Sequence, residues 1–138
     1  MVKIIVGLKG SGKTKTLIDM ANTAGETSKG SVVCIEKGNK LLHEIKYFVR
    51  LIDVDEYNIT TANSLYGFVC GICASNHDIT DIFIDSTLKI CNGEIALFAQ
   101  FVEEADRFLA SNSVNIVLTA SMKYEDLPEN LRKYVVEQ

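Results

Sequence analysis

The sequence has 138 residues, of which 47% are hydrophobic and 23% are charged, and its formal net charge is −4. This length and composition predict a single globular domain over residues 1–138, and they argue against intrinsic disorder. The longest apolar run, residues 68–74, is far shorter than the ~20 residues of a membrane-spanning helix, and the N-terminus shows no secretory signal. We therefore expect a cytoplasmic protein without membrane insertion.

Charge is distributed unevenly along the chain. Residues 1–50 carry nine basic and four acidic side chains, whereas residues 51–138 carry five basic and fourteen acidic ones. The negative total gives no support to nucleic-acid binding. A polyanionic ligand would nevertheless favour the first part of the chain.

Short apolar runs rich in β-branched residues predict strands that are buried on both faces. They lie at residues 2–6, 31–35, 81–85 and 115–119. Residues 47–54 fit a fifth strand, although the apolar spacing around them also fits a short helix. Strands that alternate with helices predict a three-layer α/β domain with a mostly parallel five-stranded sheet.

Apolar residues at helical spacing predict three helices and a fourth at the C-terminus. The first begins at Lys13 and is expected to end at Gly25. The second is capped by Thr61 or Asn63 and ends near Asn76. The third covers residues 95–109, and Pro128 marks the start of the terminal helix.

Residues 7–14 read G-L-K-G-S-G-K-T and stand between the first predicted strand and the first predicted helix. Glycines let such a loop curl until its N–H groups point inward, and the helix that follows adds the positive end of its dipole. The segment matches the Walker A pattern G-x-x-x-x-G-K-[ST], so the chain resembles the P-loop NTPases. The resemblance implies ATP and Mg²⁺ as ligands. The expected phosphate-binding residues are Gly7, Gly10, Ser11, Gly12, Lys13, Thr14 and Lys15.

Individual roles follow from the same resemblance. Lys13 would reach the β- and γ-phosphates as a catalytic residue, and the Thr14 hydroxyl would ligate Mg²⁺. Leu8 stands where the partitioning ATPases with a deviant Walker A motif have a second lysine, so a lysine-bridged sandwich dimer is not expected.

The predicted strand that ends in Asp85 is similar to Walker B, whose aspartate holds the Mg²⁺ shell. Ser86 follows it, where many P-loop ATPases have a glutamate that orients the attacking water. This ending resembles the RecA-like branch, in which a neighbouring strand supplies the glutamate. Glu36 ends the second predicted strand and is the expected base; alternatively it is a solvated loop acid or a partner of Lys37 or Lys40.

The RecA-like resemblance also implies that the strand at residues 115–119 lies between the first strand and the strand that precedes Asp85. Thr119, or Ser121 beyond it, then resembles the polar position that senses the γ-phosphate. No arginine is placed to act in cis. We therefore expect slow turnover, with the missing charge supplied across an interface by a partner's side chain or by Arg107, Arg132 or Lys123.

The cysteines and histidines give no metal or redox signal. Cys70 and Cys73 have a zinc-like spacing, but no second ligand pair accompanies them, and all four cysteines are expected in the reduced core. His43 and His77 are isolated. The guanine-reading motif N-K-x-D is absent, because Asn39-Lys40 is followed by two leucines.

Three functions remain open from the sequence. The first is a minimal RecA-like ATPase or ATP-driven switch that acts with a homo-oligomer or an unidentified protein partner. The second is a nucleotide-sensing module that does not hydrolyse ATP. The third is a small-molecule kinase similar to the thymidine kinase group, although its lid arginines and zinc segment are missing. The loop is also similar to that of twitching-motility ATPases, whose N-terminal domain and acidic and histidine boxes are not seen here.

Overall fold

Five strands form one sheet in the computed structural model, which describes residues 1–136. They are β1 (Val2–Gly7), β2 (Ser31–Glu36), β3 (Arg50–Asp53), β4 (Ile79–Ile84) and β5 (Asn115–Ser121). The order across the sheet is β1-β5-β4-β2-β3, and every neighbouring pair is parallel. The α/β prediction is confirmed, and so is the position of β5 between β1 and β4.

Helices cover both faces of this sheet. They are α1 (Lys13–Thr27), α2 (Ala62–Ser75), α3 (Thr87–Ile90) and α4 (Ile95–Ala110). Helix α1 packs on one face, whereas α2, α3 and α4 contribute to the larger apolar core on the other. Short 3-10 helices occupy Val54–Tyr57, Tyr124–Asp126 and Glu129–Tyr134. Among residues 1–136, no helix is both long enough and apolar enough to cross a bilayer.

Strand β4 contributes side chains to two apolar cores, one on each face of the sheet. Successive side chains of a strand point to opposite faces. Phe83 accordingly packs in the α1-side core, while Ile82 and Ile84 pack in the core beneath α2 and α4. All three side chains are buried, as expected for a parallel sheet that is covered on both faces.

The predicted helix boundaries hold for α2 and fail at the end of α1. Thr61 caps α2 through a reciprocal pair of hydrogen bonds with Ser64. Gly25 does not end α1, which continues to Thr27. A Cβ at Gly25 would lie 2.6 Å from side-chain atoms of Phe48 and Val49, so this glycine makes room for packing.

Two further expectations are corrected. Only Arg50–Asp53 of the segment 47–54 is a strand, because the residues before it form turns that bury Leu41, Ile45 and Val49 against α1. The expected terminal α-helix is a pair of 3-10 segments. The chain then leaves helical geometry and pairs with the edge of the sheet, where the Val136 amide donates to the Ile4 carbonyl at 2.9 Å.

Candidate functional site

The carboxyl ends of four strands bring the site together. Gly7 at the end of β1 is in register with Ser121 of β5, and Ile84 of β4 lies between Leu118 of β5 and Ile35 of β2. Ligands of open α/β sheets bind outside this edge, at the point where the chain reverses its winding direction. The residues that follow β1, β4 and β2 therefore face one region.

The glycine-rich loop (residues 7–14) has a shape that side chains would prevent. A Cβ at Gly7 would lie 2.3 Å from the Ser11 hydroxyl oxygen, which is too close for any real contact. Gly10 and Gly12 have φ angles of 86° and 89°, in the left-handed region that other residues rarely adopt. The curled backbone of this loop thus depends on glycine at these positions.

The curled loop leaves backbone donors free. Within residues 1–136, the amides of Gly10, Gly12, Lys13 and Thr14 donate no hydrogen bond to backbone or side-chain atoms. Lys13 and Thr14 also form the first turn of α1, whose N-terminus carries partial positive charge. Unpaired amides at such a helix end form an anion-binding site.

Lys13 is a buried cation without an ion pair. Its side chain is only 6% exposed, and its one hydrogen bond is a long one of 3.5 Å to the Leu8 carbonyl. In the described part of the chain, no carboxylate lies within 4.0 Å of its ammonium group. A buried charge without a partner is costly, so this position favours an anionic ligand.

Asp85 is the centre of a small polar cluster. Its carboxylate accepts hydrogen bonds from the Thr119 hydroxyl at 2.6 Å and from the Thr14 hydroxyl at 3.1 Å. The Ser86 amide donates to the Thr119 oxygen at 2.8 Å, which links the end of β4 to β5. Asp85 and Thr119 are both buried, so the cluster fixes the carboxylate directly opposite the glycine-rich loop.

The Thr14 and Asp85 pair fits a magnesium ion. Mg²⁺ binds oxygens at about 2.0–2.1 Å in an octahedron, whose neighbouring ligands lie about 3.0 Å apart. The Thr14 hydroxyl lies 3.1 and 3.3 Å from the two Asp85 oxygens, which are hydrogen-bond distances and are also compatible with both groups beside one ion. In residues 1–136 no three His, Cys, Asp or Glu side chains cluster. Thr14 and Asp85 are the side chains at the loop that could hold such an ion.

A cleft of about 250 Å³ lies between these groups. It is lined by Lys9, Gly10, Lys13, Thr14, Lys40, Leu41, Asp85, Ser86, Lys89 and Ser121. Four lysines face one aspartate there, so the cleft is cationic in a chain whose net charge is −4. A larger cavity of about 520 Å³ lies beside α1 at the amino ends of the strands, on the opposite side of the sheet from the carboxyl ends that carry this cluster.

Glu36 does not line the lysine-rich cleft, although it binds the amide of Leu41, which does. It is 3% exposed, and both of its carboxylate oxygens accept a hydrogen bond from the Leu41 amide at 3.2 Å. Burial raises the pKa of the Glu36 carboxyl; the amides of Leu41 and Lys40 oppose the rise, and the charges of Asp53 and Asp85 add to it. Glu36 lines a neighbouring cavity of about 310 Å³. The alternative that Glu36 is a solvated loop acid is wrong, because the residue is buried. The role of Glu36 as a base stays a prediction.

The other sequence candidates lie outside the cleft. Lys15 points to the surface of α1, where it lies 3.9 Å from Asp19. Lys123 and Arg107 are exposed and do not line the cleft, and Arg132 hydrogen-bonds the Leu127 and Glu125 carbonyls.

The thiols and imidazoles lie where the sequence places them, except that Cys70, which was expected in the core, is only half-buried. All four cysteines are free, and three of them, Cys34, Cys73 and Cys91, are buried. Burial raises the pKa of the Cys91 thiol to about 12, and it raises the pKa of Cys34 and Cys73 as well. Buried thiols of raised pKa are inert. His43 and His77 are exposed.

Sequence reasoning missed three cations of the cleft: Lys9 inside the glycine-rich loop and two lysines outside it. Lys40 lies in the turn after β2, and Lys89 lies on α3, just after Asp85. The sequence could have indicated Lys40 and Lys89 only by their position, since each follows the carboxyl end of a predicted strand. Neither residue belongs to the glycine-rich pattern.

Comparison with known proteins adds no family assignment. A scan against protein-family models finds no match, and no curated protein sequence matches the chain. The function must therefore be argued from the site's own residues.

Proposed function

We propose that this chain is a P-loop NTPase of the RecA-like branch that binds Mg-ATP in the lysine-rich cleft and hydrolyses it slowly, acting as an ATP-driven switch. The observation that carries the proposal is the buried, unpaired Lys13 ammonium beside the free amides of the same loop. A phosphate chain offers both of these groups the anionic oxygens that they lack. Few other ligands would satisfy a buried cation and several amides together.

Each residue has a defined task in this proposal. The free amides of Gly10, Gly12, Lys13 and Thr14 wrap the phosphates, and the Lys13 ammonium neutralises their charge. Thr14 and Asp85 would hold Mg²⁺, which when bound supplies positive charge to the phosphate oxygens. Thr119 keeps the Asp85 carboxylate oriented through the 2.6 Å hydrogen bond.

The strand order supports the choice of branch. Strand β5 lies between β1 and β4. In the kinase and GTPase branch of the P-loop NTPases, the strands that correspond to β1 and β4 are adjacent. Strand β2 borders β4, so Glu36, the last residue of β2, lies on the strand beside the one that precedes Asp85, as the proposed base requires.

Slow turnover is part of the proposal because no arginine lines the cleft in the described part of the chain. We propose that a second copy or a protein partner reads or completes the ATP-bound state. Leu8 and Leu42 support a contact near the cleft, since each is more than half exposed although apolar.

A sensor that binds ATP without hydrolysing it is the second candidate. The observation that favours it is the engagement of both Glu36 oxygens by the Leu41 amide, which keeps the proposed base out of the cleft. Phosphate release separates the two candidates: a switch that hydrolyses ATP gives measurable release from the parent protein, and a sensor gives none.

The binding proposal is tested by calorimetric titration of ATP in the presence of Mg²⁺. The Lys13→Ala variant should lose at least about 100-fold in affinity, because a charge-assisted contact to phosphate disappears from a buried site. Lys29→Ala is the matched control: Lys29 is exposed and precedes β2, at the other end of the sheet. Equal affinity of the Lys13 variant and the parent would overturn the proposal.

A further inference from the structure

The turn after β2 (residues 37–41) brings a lysine to the cleft that no sequence pattern assigns. Lys40 is exposed, lines the cleft together with Lys13 and Asp85, and forms no ion pair within residues 1–136. A cation thus lies beside the proposed phosphate site, and among residues 1–136 no carboxylate pairs with it.

The backbone around Lys40 is anchored on both sides. On one side the Leu41 amide is bound to the buried Glu36 carboxylate, and the Leu41 side chain is 3% exposed in the α1-side core. On the other side the Gly38 amide donates to Asp53 at 2.8 Å. Lys40 is thus held by a fixed turn, and the entropy lost when its side chain binds a ligand is confined to that side chain.

The position of this turn relates it to one end of the phosphate chain. The glycine-rich loop lies at the end of β1, Asp85 follows β4, and Lys40 follows β2, which is the neighbour of β4. Phosphates held by the loop amides would lie in the cleft that Asp85 and Lys40 also line. The end of such a phosphate chain on the β2 side would come within reach of Lys40.

We propose that Lys40 contacts the terminal phosphate of ATP, so that this chain distinguishes ATP from ADP with a cation of its own. The proposal rests on the proposed function of the cleft. Glu36 serves here as a positioning residue, because its carboxylate holds the Leu41 amide and thereby the turn. ADP lacks the phosphate that Lys40 reaches, so the contact contributes to ATP affinity alone.

The test compares the binding of Mg-ADP and of a non-hydrolysable Mg-ATP analogue by calorimetry. Lys40→Ala should weaken the analogue about 10- to 100-fold and leave ADP within about twofold. Lys37→Ala is the matched control, since Lys37 lies in the same turn but pairs with Asp55 at 2.6 Å. It should change neither affinity. Similar losses for both nucleotides, or no loss for the analogue, would overturn the role of Lys40.

Glu36 variants test the positioning step separately. Glu36→Gln keeps an oxygen that accepts from the Leu41 amide, so it should keep the preference for the ATP analogue over ADP. Glu36→Ala removes the acceptor and should lose that preference; if it keeps the preference, Glu36 does not position Lys40. A parent protein that binds neither nucleotide overturns the proposed function and this inference together. A parent that binds both, with Lys13→Ala impaired and Lys40→Ala unchanged, overturns only the inference.

Discussion

The Thr119→Val substitution tests how much the hydrogen bonds of the Asp85 cluster contribute to the free energy of unfolding. Valine has the shape of threonine but lacks the hydroxyl, which donates to Asp85 at 2.6 Å and accepts from the Ser86 amide at 2.8 Å. Thr119 is fully buried, so water cannot replace either partner. The substitution therefore removes a hydrogen bond from the Asp85 carboxylate and leaves the Ser86 amide without its acceptor.

The magnitude follows from these two bonds. A hydrogen bond to a charged group contributes about 1.5–3 kcal/mol, and an unsatisfied buried donor costs about 1–3 kcal/mol. The added methyl group returns about 0.8 kcal/mol. We predict a net loss of about 2–5 kcal/mol in the free energy of unfolding, which is a large part of the ~5–15 kcal/mol of a typical domain.

Thr87→Val provides the control for this prediction. Thr87 is also fully buried, but its hydroxyl makes one neutral hydrogen bond, to the Ile84 carbonyl at 3.2 Å. Its loss should cost no more than about 1 kcal/mol. Urea unfolding followed by circular dichroism, without nucleotide, measures both variants. Equal losses for the two variants would refute the argument that the charged cluster is special.

Three further predictions concern the carboxylates. Asp85→Asn should abolish the gain in ATP affinity that Mg²⁺ gives while leaving the affinity in EDTA unchanged; titrations in both buffers measure this, and equal losses would contradict a metal role. Glu36→Gln should lower phosphate release about 10²–10⁴-fold with ATP still bound, and unchanged release would exclude Glu36 as the base. Because burial raises the pKa of Glu36, the folded state holds its proton more tightly than the unfolded chain, whose value is about 4.3. The stability of the parent relative to Glu36→Gln should therefore fall as the pH rises from about 4 to 7 in urea melts, and a flat difference would contradict this cause.

The sequence predicts the elements of the site well where one short segment carries the whole signal. The glycine-rich loop is recognisable because its geometry requires glycine at Gly7, Gly10 and Gly12, and each requirement is visible in the chain. The strand order was predictable from the ending of β4 in Asp85 and Ser86 through its resemblance to the RecA-like branch.

Features that depend on contacts between distant segments were not predictable. Gly25 looked like a helix end, but the side chains of Phe48 and Val49 determine its role. The distance of Glu36 from the cleft depends on the Leu41 amide, and that hydrogen bond forms only when the turn packs on α1. Hydrophobic periodicity cannot report such packing.

Lys40 illustrates the same limit for charge. Nothing in its neighbours, Asn39 and Leu41, separates it from a solvated lysine. Its place in the cleft arises from the pairing of β2 with β4, which brings the end of β2 beside Asp85.

The proposed function requires the glycine-rich loop to bind the phosphates of Mg-ATP. A crystal structure of the protein with Mg²⁺ and a non-hydrolysable ATP analogue tests it most directly. We expect phosphate oxygens within hydrogen-bond distance of the amides of Gly10, Gly12, Lys13 and Thr14 and of the Lys13 ammonium, with the metal beside Thr14 and Asp85. Crystals grown at saturating analogue that show an empty loop, or nucleotide bound in the 520 Å³ cavity beside α1, would contradict it.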